Sequence, residues 1–101
     1  MASRLELHEE LCKLLGTRNV YFQPPSSVKI KYPAIIYSLD SIDTRHANDS
    51  IYSANNRYSV TYIDLDPDSV KIREFLKLPH CKFNRFYISD NLNHYNYTLY
   101  Y

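Results

Sequence analysis

From Ala34 onward the chain repeatedly alternates apolar and polar residues, and a period of two restricts such a chain to strands that bury one face and leave the other wet. Over Ala34 to Ile42, Ile35, Tyr37 and Leu39 alternate with Ile36, Ser38 and Asp40. Over Arg57 to Leu65, Tyr58, Val60 and Tyr62 alternate with Ser59, Thr61 and Ile63. Cys81 to Ile88 and Tyr95 to Tyr101 read as two aromatic-rich strands, joined by the turn-rich segment Ser89 to His94 as a hairpin. Val20-Tyr21-Phe22 is a short strand by residue type, and Pro24-Pro25 must lie in a loop because two successive prolines remove two ladder donors. Between the first two long strands, Asp43 to Ser50 has no period and little apolar content, which predicts a loop or the tip of a long hairpin.

Two segments carry the helical period instead. Ser3 with Glu6 three residues on forms a capping box, Leu7, Leu11, Leu14 and Leu15 make one stripe, and Gly16 supplies a left-handed stop. Glu9 and Lys13 stand at i,i+4 on the wet side of that helix. A second helix is predicted from Asp66 as cap and Pro67 as first residue, with Val70, Ile72, Phe75 and Leu76 at helical spacing and Pro79 as terminator. The order α-β-β-β-α-β-β predicts an α+β fold in a single domain over residues 1–101. Its sheet is antiparallel-dominated, with about four to five strands and both helices packed on one face.

Composition narrows the chemistry. With one Gly in 101 residues, no stretch can bring backbone close to a phosphate, so the dinucleotide fingerprint and the P-loop are excluded. Eleven Tyr give flat apolar rings with one polar tip, which make sheet faces that are neither dry nor fully wet and suit partner contacts. A formal net charge of +1 lacks the basic footprint of a protein that neutralises many phosphates. Two Cys are too few for a disulfide scaffold. No apolar run approaches the ~20 residues of a membrane helix, and the N-terminal stretch carries Glu among its leucines, so a soluble protein made in the cytoplasm is expected.

Candidate catalytic and metal sites are weak in this pattern. Asp64, Asp66 and Asp68 alternate as in a calcium loop, but Ser69 stands where that loop needs Gly, Phe75 where it needs a bidentate Glu, and Pro67 stiffens the middle. Capping of a helix N-terminus is the simpler role for these carboxylates. His8 with Cys12 and His80 with Cys81 sketch a zinc site, yet adjacent residues in an extended segment point to opposite faces and no C-x-x-C spacing supports them. His8, His46, His80 and His94 have no local partner that signals nucleophilic catalysis. Neither enzymatic activity nor a cofactor is expected. The aromatic block Phe83, Phe86, Tyr87, Tyr95, Tyr97, Tyr100 and Tyr101, with Lys82 and Arg85, can be drawn as a stacking platform for single-stranded nucleic acid, or as cross-strand pairs that fill a small core.

Taken along its length, the chain resembles the small tail-completion or tail-terminator (minor head-tail joining) proteins of long-tailed bacteriophages. The resemblance is carried by "LHEELCKLLGTRNVYFQPP", "YPAIIYSL", "RYSVTYIDLDPDS" and the closing "DNLNHYNYTLYY". It implies a non-enzymatic virion component made in the bacterial host cytoplasm. Such a protein forms a homo-oligomeric ring, commonly a hexamer, that caps the tail tube and meets the head connector. Its partners would be the tail-tube and head-connector proteins, with double-stranded DNA passing through unread and no membrane involved. A neighbouring neck protein would share this pattern. Within this picture Arg45, Asp49 and Arg57 are the candidate subunit-interface residues, since a ring needs two complementary polar and Tyr-rich surfaces on each subunit.

Overall fold

The computed structural model describes residues 4–47 and 50–101, and side chains throughout these except over 43–55. Helix α1 (Arg4–Leu15) leads into β1 (Val20–Phe22), β2 (Ala34–Ala47) and β3 (Ser50–Asp64). Helix α2 (Lys71–Glu74) and a 3-10 turn over Phe75–Lys77 then precede β4 (Cys81–Ser89) and β5 (Leu92–Tyr100). All the strands form one five-stranded sheet in the order β1-β2-β3-β5-β4, antiparallel except for the β1–β2 pair. This is the α+β architecture that the alternation predicts.

Helix α1 buries Leu7, Leu11, Cys12 and Leu15 and ends at Gly16, whose φ of +84° is the left-handed conformation a side chain resists. The Gly16 amide closes the last turn on the Cys12 carbonyl at 2.9 Å. The Ser3 half of the capping box lies outside the described residues. Glu9 is not held by Lys13: Arg18, past the helix end, grips its carboxylate through two bonds of 3.0 and 3.1 Å. The fork of a guanidinium matches a carboxylate in a way that an ammonium cannot.

The second helix starts later than Asp66 and Pro67 imply. Its first α-helical residue is Lys71, and Val70 precedes it without a side-chain cap. The acidic run spends its oxygens on turns instead: Asp64 accepts the Asp66 amide at 3.1 Å, Asp66 accepts the Asp68 amide at 2.9 Å, and Ser69 accepts the Lys71 amide at 3.2 Å. Such short side chains compete with the helix for backbone donors, which delays its start. The β4–β5 connection is tighter than predicted. Asp90 and Asn91, with φ of 53° and 63°, form a two-residue turn with both central residues left-handed, so Leu92, Asn93 and His94 belong to the strand.

The core lies between the helices and one sheet face. Ile35 and Tyr37 of β2, Tyr58, Val60 and Tyr62 of β3, and Tyr95, Tyr97 and Leu99 of β5 are buried there under α1 and Phe75. Tyrosine hydroxyls tie the helical segments down. Tyr97 donates to the Ile72 carbonyl at 2.7 Å, Tyr95 to the Pro67 carbonyl at 3.1 Å, and Tyr62 to Asp64. On the α1 side, the Tyr37 hydroxyl accepts from Arg4 at 3.2 Å and lies 2.8 Å from His8 Nδ1. Lys71 crosses between helices to cap the Leu14 carbonyl at 3.0 Å, satisfying an acceptor orphaned at the end of α1.

Phe75 is fully buried and stacks on Tyr97 with ring centroids 4.7 Å apart and planes 11° apart. Its ring is the main apolar anchor of a helical segment too short to hold itself. Replacing it (Phe75→Ala) should destabilise the fold by about 3–5 kcal/mol, read as a lowered urea midpoint. A loss under about 1 kcal/mol would show that the segment is held elsewhere.

Candidate interaction surface

Among the described residues the candidates for chemistry do not converge. Cys12 is buried in the core and Cys81 opens β4, and both are free thiols. Burial raises both thiols above their ordinary range, Cys81 to about 11, the opposite of what activates a nucleophile. Asp64 is engaged by the Tyr62 hydroxyl and Asp66 by a backbone amide. Among the described residues no three His, Cys, Asp or Glu side chains gather as a metal site. No described helix is long and apolar enough to cross a membrane.

Of the two readings of Asp43 to Ser50, a loop or the tip of a long hairpin, the structure bears out the second. Pairing between β2 and β3 runs through Asp43↔Asn55, Thr44↔Ala54 and Arg45↔Ser53 to Ala47↔Ser50. No other strand accompanies that part: β1 pairs only with Ile35 to Tyr37, and β5 meets β3 only from Arg57 to Asp64. The far half of the hairpin therefore leaves the sheet as a two-stranded ribbon of about 23 Å, at ~3.3 Å per residue. It accounts for the elongation of the molecule to 51 × 29 × 23 Å.

A bulge marks its root. The register slips between Leu39 and Ser41, leaving Asp40 as the extra residue beside Arg57. Arg57 Nε donates to Asp40 Oδ2 at 3.0 Å. Tyr100, its register partner on β5, together with Asp40 raises the affinity of that guanidinium for its proton. Bulges increase local bend and twist, so this one helps set the direction in which the ribbon leaves. Of the three candidate interface residues, Arg57 thus anchors the root and Arg45 sits on the ribbon with its side chain outside the described set. Asp49 lies outside the described residues.

The surface that strict alternation misses is on β4. Its register with β5 slips between Phe83 and Arg85, so Asn84 and Arg85 together face Asn96. Counted by twos, Phe83 and Phe86 fall on opposite faces; the bulge returns them to the same one, where Phe83 packs on Tyr97 and Phe86 on Tyr95. Ile88 continues the row. These three remain 43%, 47% and 64% exposed. β4 is also the edge of the sheet, so alternate backbone groups along its nine residues point outward with no strand to meet.

The aromatic block drawn as a stacking platform is consequently divided between faces. Tyr95 and Tyr97 are core residues, and Tyr87 lies on the opposite side, stacked on His94 at 4.7 Å with Arg85 over its ring at 4.9 Å. Among the described residues that side carries no helix, and it is knitted by Asn96, which donates to Ser59 and Thr61 at 3.0 Å each and accepts from Asn84 at 2.8 Å. An apolar cleft of about 560 Å³ opens between Leu7 of α1 and Leu78, Leu99 and Tyr101, with Glu10 and His80 at its sides. Compared with protein families, curated proteins and solved structures, the chain has no match.

Because the Cys81 thiol is pushed up to about 11, it stays protonated through neutral pH. Its iodoacetamide labelling in the native protein should climb about tenfold per pH unit from pH 8 to 10, since only the thiolate reacts. A plateau below pH 9, with the site identified by mass spectrometry, would contradict the burial argument.

Proposed function

We propose that this chain is a structural subunit of a bacteriophage tail, assembling as a ring at the head-proximal end, where it caps the tail tube and meets the head connector. The observation that carries this reading is the β2–β3 ribbon. A two-stranded hairpin is marginal in water without a third strand or a packed face, so an arm this long is best explained by a seat on a neighbour. The resemblance read in the sequence to tail-completion proteins suggests the neighbour's setting.

The surface chemistry supports the same reading. Closed rings use heterologous contacts, in which one patch of each subunit meets a different patch of the next. This chain offers an arm at one end and an apolar sheet edge on its flank. A net charge of +1 suits a ring through which duplex DNA must slide, because a strongly basic lumen would hold the phosphates.

Purified chain mixed with polymerised tail-tube protein should appear by negative-stain electron microscopy as a cap on one end of each tube and should stop further growth. Binding to the connector alone, with tube ends left growing, would assign it to the neck instead. Binding to neither would contradict the proposal.

A further inference from the structure

We infer that the β4 edge is the acceptor for the ribbon of the next copy of this chain, so that each subunit is joined to its neighbour by strand addition. The inference rests on the ring reading above and specifies its contact. The ribbon extends β2 and β3 away from the sheet at the end where Arg57 pairs with Tyr100, whereas β4 lies beyond β5 on the flank. An arm that points out of the sheet does not turn back on its own β4, so the two unpaired edges are complementary only between copies.

Length and chemistry agree. The ribbon leaves roughly seven residues on each arm, enough to span most of β4 at ~3.3 Å per residue. β4 carries Lys82 and Arg85 and no acidic residue, with Phe83, Phe86 and Ile88 on the helix side. The sequence over residues 41–56 contains Asp43 and Asp49 against Arg45, and supplies Ile42, Ile51 and Tyr52.

Charge also selects against the obvious competitor. Two β4 edges laid together would bring Lys82 and Arg85 of each copy close to those of the other, and natural edge strands use such cations and bulges to refuse like edges. The ribbon's sequence offers Asp43 and Asp49 to the same cations. The contact is head-to-tail, so it propagates around a ring rather than ending in a symmetric pair.

Two variants separate donor from acceptor. One carries Phe86→Lys and Ile88→Lys, both at exposed positions, and keeps its ribbon; the other has residues 43–55 replaced by Asn-Gly and keeps its edge. Circular dichroism and urea unfolding establish that each folds, and single Ile88→Lys serves if the double variant does not. Analytical ultracentrifugation of the full chain at rising concentration, alone and with tube protein, should show rings. Each variant alone should stay monomeric, and the two mixed should form a 1:1 dimer that grows no further.

Self-association of the ribbon-deleted chain would overturn the inference in favour of paired β4 edges. Rings formed equally well by the edge variant would overturn it while leaving the ring reading intact. A full chain that stays monomeric under every condition, tube ends included, would overturn both.

Discussion

The tyrosines of the sheet do two jobs at once, and the fold depends on the combination. The rings of Tyr37, Tyr58, Tyr62, Tyr95 and Tyr97 fill the space between sheet and helices, and several hydroxyls reach through to hold the segment that covers them. Tyr97 holds Ile72 and Tyr95 holds Pro67 by their carbonyls, while Tyr62 engages Asp64 and lies 2.8 Å from the Ser69 hydroxyl. A leucine or phenylalanine core would supply equal apolar burial but would leave the 64–77 crossover without its anchors. Burial raises the Tyr62, Tyr95 and Tyr97 phenols, which therefore remain protonated donors through the neutral range. The same logic works at Tyr37. Burial and the nearby Arg4 and Arg18 lower the His8 affinity for a proton, and a neutral His8 Nδ1 can accept from the Tyr37 hydroxyl while that oxygen accepts from Arg4.

Fastening the cover so tightly to β3 and β5 leaves the margins of the sheet unfinished. The β1 margin is blunt: three residues long, and where it ends Gln23 reaches across to accept the Leu39 amide at 3.1 Å, replacing the missing strand. The other two margins have no such cover among the described residues. β4 presents its backbone and three half-exposed apolar side chains, and the ribbon leaves the sheet entirely. Among the described residues one edge is thus protected by the chain itself and the others are not.

Sequence patterns report burial, and that decides how much of this was legible. α1 with its Gly16 stop, the short β1, the start of β2, the β3 core and β5 bury one face, so their periods show, while β4, with no fully buried residue, is legible only by its aromatic residue types. Past Ile42 the paired strands run beyond the rest of the sheet, and over Asp43 to Ser50 the sequence shows no period; that stretch reads as a loop or the tip of a long hairpin, and the length of the paired ribbon is not legible. At Asp66 and Pro67 the usual helix-start residues serve turns, because Asp64, Asp66 and Ser69 capture nearby amides before the helix begins. The exposed row on β4 depends on a bulge at Asn84 and Arg85, which no period of two can express. Arg57 could be singled out as a charge beside a polar stretch, but its partner Asp40 emerges only from the matching slip in β2.

The central claim is that the unpaired margins of this sheet are completed by another copy. Amide hydrogen exchange of the full chain, free at low concentration and assembled on tube ends, tests it most directly, because pairing of a strand edge slows exactly those amides that lacked a partner. The amides of β4 and of the ribbon that face away from their own partner strand should exchange quickly in the free chain and slow markedly on assembly, while those of α1, β5 and the Arg57–Asp64 part of β3 change little. Unchanged exchange of these outward amides in assembled material, or their protection already in the free monomer, would contradict the account.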